Sequence, residues 1–367
     1  MDELAQRAVV RAGVARAVAL GVAVRTSGRW EVEVGAAGDV GGLPASEDTP
    51  FDLASVSKSF VACCFARLWE RGALTPEAQL GSLVPECRGS ASEDSTLGLL
   101  LSHRAGLEAH LPLYAPLERG RPVERRRALL TAANARRARL DAAPFSPLYS
   151  DLGYLLAGEA LTRVAAAPLD ELIASEVSAP LELDAASARL WRARDAAFSR
   201  KVAPSEHIAF RGGELRGVVH DENAWAFAGH GAAGQAGLFG SVRAVLGLGC
   251  ALLDSLAGRA ENWLRRDTLS FLVSPRPGGS LRLGFDGKSE EASSAGPSAS
   301  ALTFGHLGFT GTSFWCDPVA DAVTVLLTNR VCPSRANVRI RACRPVVHEA
   351  LFAHASAAST GKRAAPT

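Results

Sequence analysis

Residues 51–60 read Phe51-Asp-Leu-Ala-Ser55-Val-Ser-Lys58-Ser-Phe60, and an apolar, helix-forming run from Val61 to Leu68 follows directly. Three residues are about one helical turn, so Ser55 and Lys58 share a helix face with their side chains in reach of each other. A serine hydroxyl needs a neighbouring base to attack a carbonyl at neutral pH, and an unprotonated lysine amine can serve. A helix starting at Ser55 places its partial positive end there. That disfavours a protonated lysine and offers backbone N–H groups to a developing oxyanion. Neither Ser57 nor Ser59 has a lysine three residues on.

S-x-x-K is short enough to recur by chance, and a second copy, Ser359-Thr-Gly-Lys362, lies in the polar tail. What singles out the first is its lysine. The chain holds Lys58, Lys201, Lys288 and Lys362 and otherwise carries its positive charge on arginine. A guanidinium keeps its proton and cannot act as a general base.

The 367 residues suffice for one large domain or two intimate subdomains. Apolar residues at 47% and charged residues at 21% describe a soluble globular chain. A net charge of +2 excludes nucleic-acid or membrane-surface binding driven by charge. The seven cysteines form no C-x-x-C, and Cys63 and Cys64 sit in the apolar helical run as small core residues. The acidic start Met-Asp-Glu, with Arg7, Arg11 and Arg16 interrupting the first apolar stretch, shows no secretion signal. Ala17–Val24 is too short to span a bilayer. The expectation is a cytoplasmic, reduced protein.

Working outward, residues 2–16 are expected to form a helix. Ala19–Val24 and Trp30–Val34 read as a hairpin across a Ser27-Gly28 turn. Leu97–Leu101 and Ser102-His-Arg-Ala-Gly-Leu107 read as a helix ending on a glycine cap. Several helices follow between about 120 and 200. Residues 286–300, rich in Gly, Ser and Pro, read as a mobile loop. Phe304–Trp315 and Ala322–Asn329 read as strands, and 336–354 as a last helix with Val338, Ile340, Val346, Val347, Leu351 and Phe352 as its apolar positions. The tail from Ser356 is disordered by composition.

Three further segments carry chemistry. Tyr149-Ser150-Asp151 places a tyrosine at a helix start after the turn-forming Phe145-Ser-Pro147, where Asp151 also suits an N-cap. The glycine-rich Gly229–Phe239 lets backbone approach backbone or ligand closely, or makes a tight turn. Gly305-His306-Leu-Gly308-Phe-Thr-Gly311-Thr312 puts glycines on a strand where a ligand can lie along the edge.

Ser55-x-x-Lys58, Tyr149-Ser-Asp151 and His306-Leu-Gly308, in that order, resemble the serine β-lactamase/penicillin-binding-protein superfamily, and within it the class C-like serine hydrolases. Leu100-Leu-Ser-His-Arg-Ala-Gly-Leu107, Val219-His-Asp-Glu-Asn-Ala224, Ala236-Gly-Leu-Phe239 and Leu327-Thr-Asn-Arg330 also resemble that family, over about residues 20–350. The resemblance implies an α/β (α+β) fold: an antiparallel sheet flanked by terminal helices, with a mostly helical subdomain. As domains, it implies one unit over 1–355, its α/β part about 1–60 and 231–355 and its helical part about 61–230, before a disordered 356–367. It further implies Ser55 as acyl-enzyme nucleophile, with Lys58 and Tyr149 sharing its proton. His306 stands where a lysine is frequent, and the N–H groups of Ser55 and Phe309 form the oxyanion hole.

Three departures stand out: Asp151 for an asparagine, Leu307 for a hydroxyl residue, and Gln235 where histidine is frequent. A carboxylate at 151 holds Lys58 protonated unless Tyr149 is the working base. The leading expectation is a cofactor-free serine hydrolase of a small-molecule ester or amide, of carboxylesterase or small-peptide hydrolase type. D,D-carboxypeptidase or β-lactamase activity, and a non-catalytic ligand-binding relative, are the alternatives. His103, His220 and His230 read as structural; zinc at His220, Asp221 and His230 is the sharper alternative, unaccompanied by H-E-x-x-H.

Overall fold

Ala17–Thr26 (β1) is apolar along nearly its whole length, and it buries both faces. Ala17, Ala19 and Ala23 enter one core, whereas Val18, Leu20, Val22 and Val24 enter another on the opposite side of the sheet. The computed structural model describes residues 1–137, 146–259 and 263–363, with side chains as far as residue 358. β1 lies inside a six-stranded antiparallel sheet with Arg29–Gly38 (β2), Asp286–Gly287 (β3), Phe304–Leu307 (β4), Ser313–Asp317 (β5) and Ala322–Thr328 (β6), in the order β2-β1-β6-β5-β4-β3. The helix Val242–Leu256 covers one face. The C-terminal helix, Ile340–Arg363, covers the other. A Cβ on Gly249 would stand 2.4 Å from Val323 Cγ1, so glycine lets the first of these helices settle onto β6. The stretch from Ser57 to Ala228 is mostly helical, and the fold is the β-lactamase-like α/β arrangement expected.

Several boundaries differ from expectation. The N-terminal helix stops at Val10 rather than residue 16. The stretch 304–315 is two antiparallel strands, not one, because residues 308–312 turn back: the Gly308 N–H donates to Thr312 O at 2.7 Å. The residues after Gly287 form no strand up to Phe304, yet they are not a free loop. Ser300 donates from N and Oγ to Asp317, Ser298 N donates to Glu349, and Ala295 is fully buried. The last helix begins at Ile340 rather than 336; Asn337, just before it, donates to the Gly13 and Val14 carbonyls and accepts the Arg339 N–H. The helix keeps Ile340, Val347, Leu351 and Phe352 inside and leaves Val346 exposed, while Val338, expected on the helix, lies before its start and is also exposed. It also runs through Arg363, so residues 356–363, expected to be disordered, are helical; continuing an established helix costs one ordered residue per new hydrogen bond. Phe145 and residues 364–367 lie outside the described residues.

Candidate active site

The helix Ser57–Glu70 is buried on every side over its first ten residues, which makes it an axle of the core rather than an amphipathic surface helix. A short strand, Phe51–Asp52, pairs with Leu238–Gly240 and delivers the chain to its start. A single 3₁₀ turn, Ala54–Val56, makes the junction, so the α-helix proper starts two residues after Ser55. Ala54 holds φ +47°, a left-handed conformation costly for a residue with a Cβ. Asp52 fixes this turn: its Oδ1 accepts the Ala54 N–H at 2.8 Å and its Oδ2 the His220 N–H at 2.6 Å. The strained turn presents Ser55 at a cleft of about 680 Å³, which Tyr149, Asp151, His306, Gly308 and Phe309 also line.

Lys58 is fully buried, and each of its partners is an acceptor. Nζ stands 2.8 Å from Ser55 Oγ, 3.1 Å from Gln235 O and 2.7 Å from Asp151 Oδ1. The rings of Tyr149 and Tyr154 lie 4.9 and 5.4 Å away, adding favourable cation–π contact. Of these contacts, the Asp151 carboxylate is the one that favours an ammonium. Burial works against that charge, but Asp151, followed by Tyr149, outweighs it and holds the Lys58 pKa above its ordinary value. Tyr149 is half-buried. Burial pushes its phenol up, Lys58 pulls it down, Asp151 pushes it up again, and the net shift is upward. Lys58 and Ser55 are the groups that act on its hydroxyl. The helix dipole expected to deprotonate Lys58 is therefore overridden by a carboxylate at contact distance, whose field is far stronger than half a charge at a helix end.

Asp151 is not the cap of its helix. Ser150 caps it, its Oγ accepting the Gly153 N–H at 3.2 Å. That frees the Asp151 carboxylate for Lys58. His103 supports the same corner from behind: its Nδ1 accepts the Ser150 N–H, and its ring lies 4.5 Å from that of Tyr149.

Opposite Ser55, the 308–312 turn carries Phe309. Ser55 and Phe309 both line the cleft, and their N–H groups donate to no acceptor among the described residues. Thr310 Oγ1 donates to Asp52 O at 2.7 Å and Thr312 Oγ1 to Leu53 O at 2.9 Å, so the two donors belong to segments stitched together. Gly308 has to be glycine, since a Cβ there would meet Thr312 Oγ1 at 2.0 Å. Gln235 also organises the site: its carbonyl accepts from Lys58, and its Nε2 donates to Asp221 Oδ1 at 3.1 Å. Sequence reasoning missed Asp52, Thr310 and Thr312 as site-builders and left the consequence of Gln235 open. The hydroxyl residues flanking Gly311 were the available signal.

His306 lines the cleft with Nδ1 2.8 Å from Leu307 O. A carbonyl only accepts, so the neutral ring carries its proton on Nδ1. Burial, then the neighbouring Lys58, lowers its pKa to about 3. His306 is therefore neutral from pH 7.5 down to 5.5. For a matched pair of esters, one with and one without a carboxylate, the ratio of kcat/KM is expected to hold constant across that range. His306→Lys, which adds a charge, is expected to favour the anionic ester; an unchanged ratio in the variant would show that residue 306 does not read substrate charge.

The zinc alternative finds no support in the geometry. His220 Nε2 is taken by Glu206 at 2.8 Å, Asp221 Oδ1 caps Ala224 N, and the described residues hold no metal-binding group of three or more His, Cys, Asp or Glu. No helix among them is long and apolar enough to cross a membrane.

A family model described as beta-lactamase matches residues 6–344. An N-acetylmuramyl-L-alanine amidase of Bacillus subtilis (strain 168) is 27% identical over 310 residues, covering 77% of this chain and 68% of that protein. A putative D-alanyl-D-alanine carboxypeptidase of Escherichia coli (strain K12) is 28% identical over 312 residues, covering 78% and 70%. Among solved structures, EstCE1, a hydrolase with promiscuous acyltransferase activity, superposes with a TM-score of 0.68 at 21% identity, covering 94% of this chain and 97% of that one. A class C beta-lactamase from Rhodobacter sphaeroides gives 0.66 at 19%, covering 95% and 99%. Likeness at that identity speaks for the fold; the family match over most of the sequence says more, and by it the chain belongs to the beta-lactamase family, as a serine hydrolase.

Proposed function

We propose that Ser55 is the acyl-enzyme nucleophile of a hydrolase for a small ester or amide, of carboxylesterase or small-peptide hydrolase type. The observation that carries this reading is Ser55 Oγ at 2.8 Å from Lys58 Nζ, at the mouth of a cleft where two backbone N–H groups lack acceptors. The working form has lost one proton from the Lys58–Tyr149–Asp151 cluster. As Oγ bonds to the substrate carbonyl carbon, its proton passes to that cluster, and the carbonyl oxygen becomes an oxyanion held by the Ser55 and Phe309 N–H groups. Collapse breaks the bond to the leaving group, which takes the proton from the cluster. Water then repeats the sequence on the acyl ester and releases the acid.

A resting cluster that holds its protons this firmly makes kcat/KM rise toward alkaline pH. Asp151→Asn tests the cause. Without the carboxylate, burial dominates at Lys58 and its pKa falls, so more of the enzyme is in the working form at a given pH. The rising limb is expected to move to lower pH by about 1–3 units, the range for losing an adjacent opposite charge. A limb that stays in place would remove the Lys58–Asp151 pair as the group that sets it.

Arg330, Arg335, Arg341 and Arg344 line the cleft, and of these only Arg335 pairs with a carboxylate among the described residues. Their charge favours a second reading, a carboxylate-ended substrate such as a D-amino-acid peptide or a β-lactam. A panel of neutral esters, D-amino-acid amides and peptides, and β-lactams separates the two. Turnover confined to the last two classes would overturn the ester reading, and turnover of none would favour a binding protein. The seven cysteines form no disulfide among the described residues, which supports a reducing, cytoplasmic setting that cell fractionation tests.

A further inference from the structure

Arg344 is a buried cation with no carboxylate partner among the described residues. One terminal nitrogen donates to Gly308 O at 2.6 Å and to Thr312 O at 3.0 Å, and Nε finds no partner. A buried, unpaired guanidinium is costly, and a neutral amide side chain could donate the same two bonds without the cost of burying charge. The target explains the charge. Gly308 C=O and Phe309 N–H are two ends of one peptide unit; Phe309 lines the cleft, and its N–H has no acceptor among the described residues.

We propose that Arg344 is a positioning residue of the oxyanion hole: its guanidinium clamps the Gly308–Phe309 peptide plane through the carbonyl oxygen and polarises the Phe309 N–H that faces the substrate. A cation on the carbonyl oxygen draws electron density along the amide and makes its N–H a stronger donor, as in any cooperative hydrogen-bond chain. Charge-assisted bonds are also the stronger kind, so the plane resists flipping. Arg330 secures the following peptide, its Nε donating to Phe309 O at 2.8 Å and its guanidinium lying 4.4 Å from the Phe309 ring centroid. With Thr310 and Thr312 bound to the nucleophile turn, the donor is fixed in orientation from both sides. Burial, then Arg330, lowers the Arg344 pKa to about 10, so the guanidinium keeps its charge at neutral pH.

The effect is confined to the transition state, because only there does the substrate oxygen carry full negative charge. Arg344→Met is expected to lower kcat and kcat/KM together by about 10- to 100-fold, with KM within about threefold of wild type. That is less than the roughly 10²–10³ for losing an oxyanion donor outright. Affinity for a boronic acid that forms a tetrahedral adduct is expected to fall in parallel. Arg344→Lys, which keeps the charge and can reach one carbonyl, is expected to recover part of the loss; it also carries the test should Arg344→Met not fold, with about a tenfold lower kcat at unchanged KM. A kcat within twofold of wild type in both variants, or Lys no better than Met with KM raised as kcat falls, would overturn the proposal. The inference rests on Ser55 as nucleophile, and the two fail differently: a Ser55→Ala variant that turns over substrate as the wild type does sinks that reading, whereas a Ser55-dependent enzyme indifferent to residue 344 sinks only this one.

Discussion

Replacing Ser55 by alanine is expected to lower kcat/KM by roughly 10⁴–10⁶-fold, the scale for deleting the nucleophile of a serine hydrolase. The fold is expected to survive. The helix behind Ser55 is held by its buried faces from Ser57 onward, and the turn in front of it by Asp52. What Ser55 itself contributes is one acceptor for the Lys58 ammonium, so its loss costs on the order of 1 kcal/mol. Rates on the best ester of the panel, with melting curves for both proteins, check this. Activity within tenfold of wild type in a clean preparation would put the nucleophile elsewhere.

Lys58→Arg is expected to lose roughly 10²–10⁴-fold in kcat, the share of a general base. Arginine keeps the positive charge beside Asp151, so electrostatics alone would predict a mild effect. The proton argument predicts a severe one, because a guanidinium neither yields nor takes a proton at any useful pH. Lys58 has no exposed surface and arginine is larger, so about 1–3 kcal/mol of overpacking is expected as well. Rates are therefore normalised to the folded fraction from near-ultraviolet circular dichroism. A folded variant that keeps a tenth of wild-type activity would leave Tyr149 as the base without Lys58.

Both variants follow from residues that the sequence itself exposes, and the reason is physical. A serine and a lysine one turn apart are local, and a helix preserves local spacing. The remaining partners come from distant segments. Asp151 and Tyr149 lie almost a hundred residues on and are brought in by the packing of helix 151–165 against the serine helix, while Gln235, further still, arrives on the segment leading into the Leu238–Gly240 strand. The carboxylate at 151 was legible as a departure, and so was its effect on Lys58. The identity of the capping residue was not, since both Ser150 and Asp151 are good N-caps and only the backbone decides between them. Arg344 was invisible for a different reason: on a helix rich in arginine, nothing local separates a guanidinium that reaches a turn 36 residues away from one that faces water.

The strand boundaries show the same division. The 304–315 stretch reads as one strand in spite of Gly305, Gly308 and Gly311, and its turn at 308–312 is held by hydrogen bonds to Leu53 and Asp52, which lie 259 and 258 residues away in sequence. The loop rich in Gly, Ser and Pro after residue 287 reads as mobile for want of apolar residues, yet polar bonds to Asp317 and Glu349 hold it. Composition reports what a segment can bury, not which distant donors it will meet.

The most direct test of Ser55 as nucleophile is covalent. Wild-type protein, Ser55→Ala and Lys58→Arg are each treated with a fluorophosphonate, weighed intact by mass spectrometry and mapped by peptide. The expected result is one adduct per wild-type chain, on the peptide holding Ser55, none on Ser55→Ala, and a strongly slowed reaction for Lys58→Arg. An adduct on any other residue, or an unlabelled wild type that still turns over ester, would contradict it.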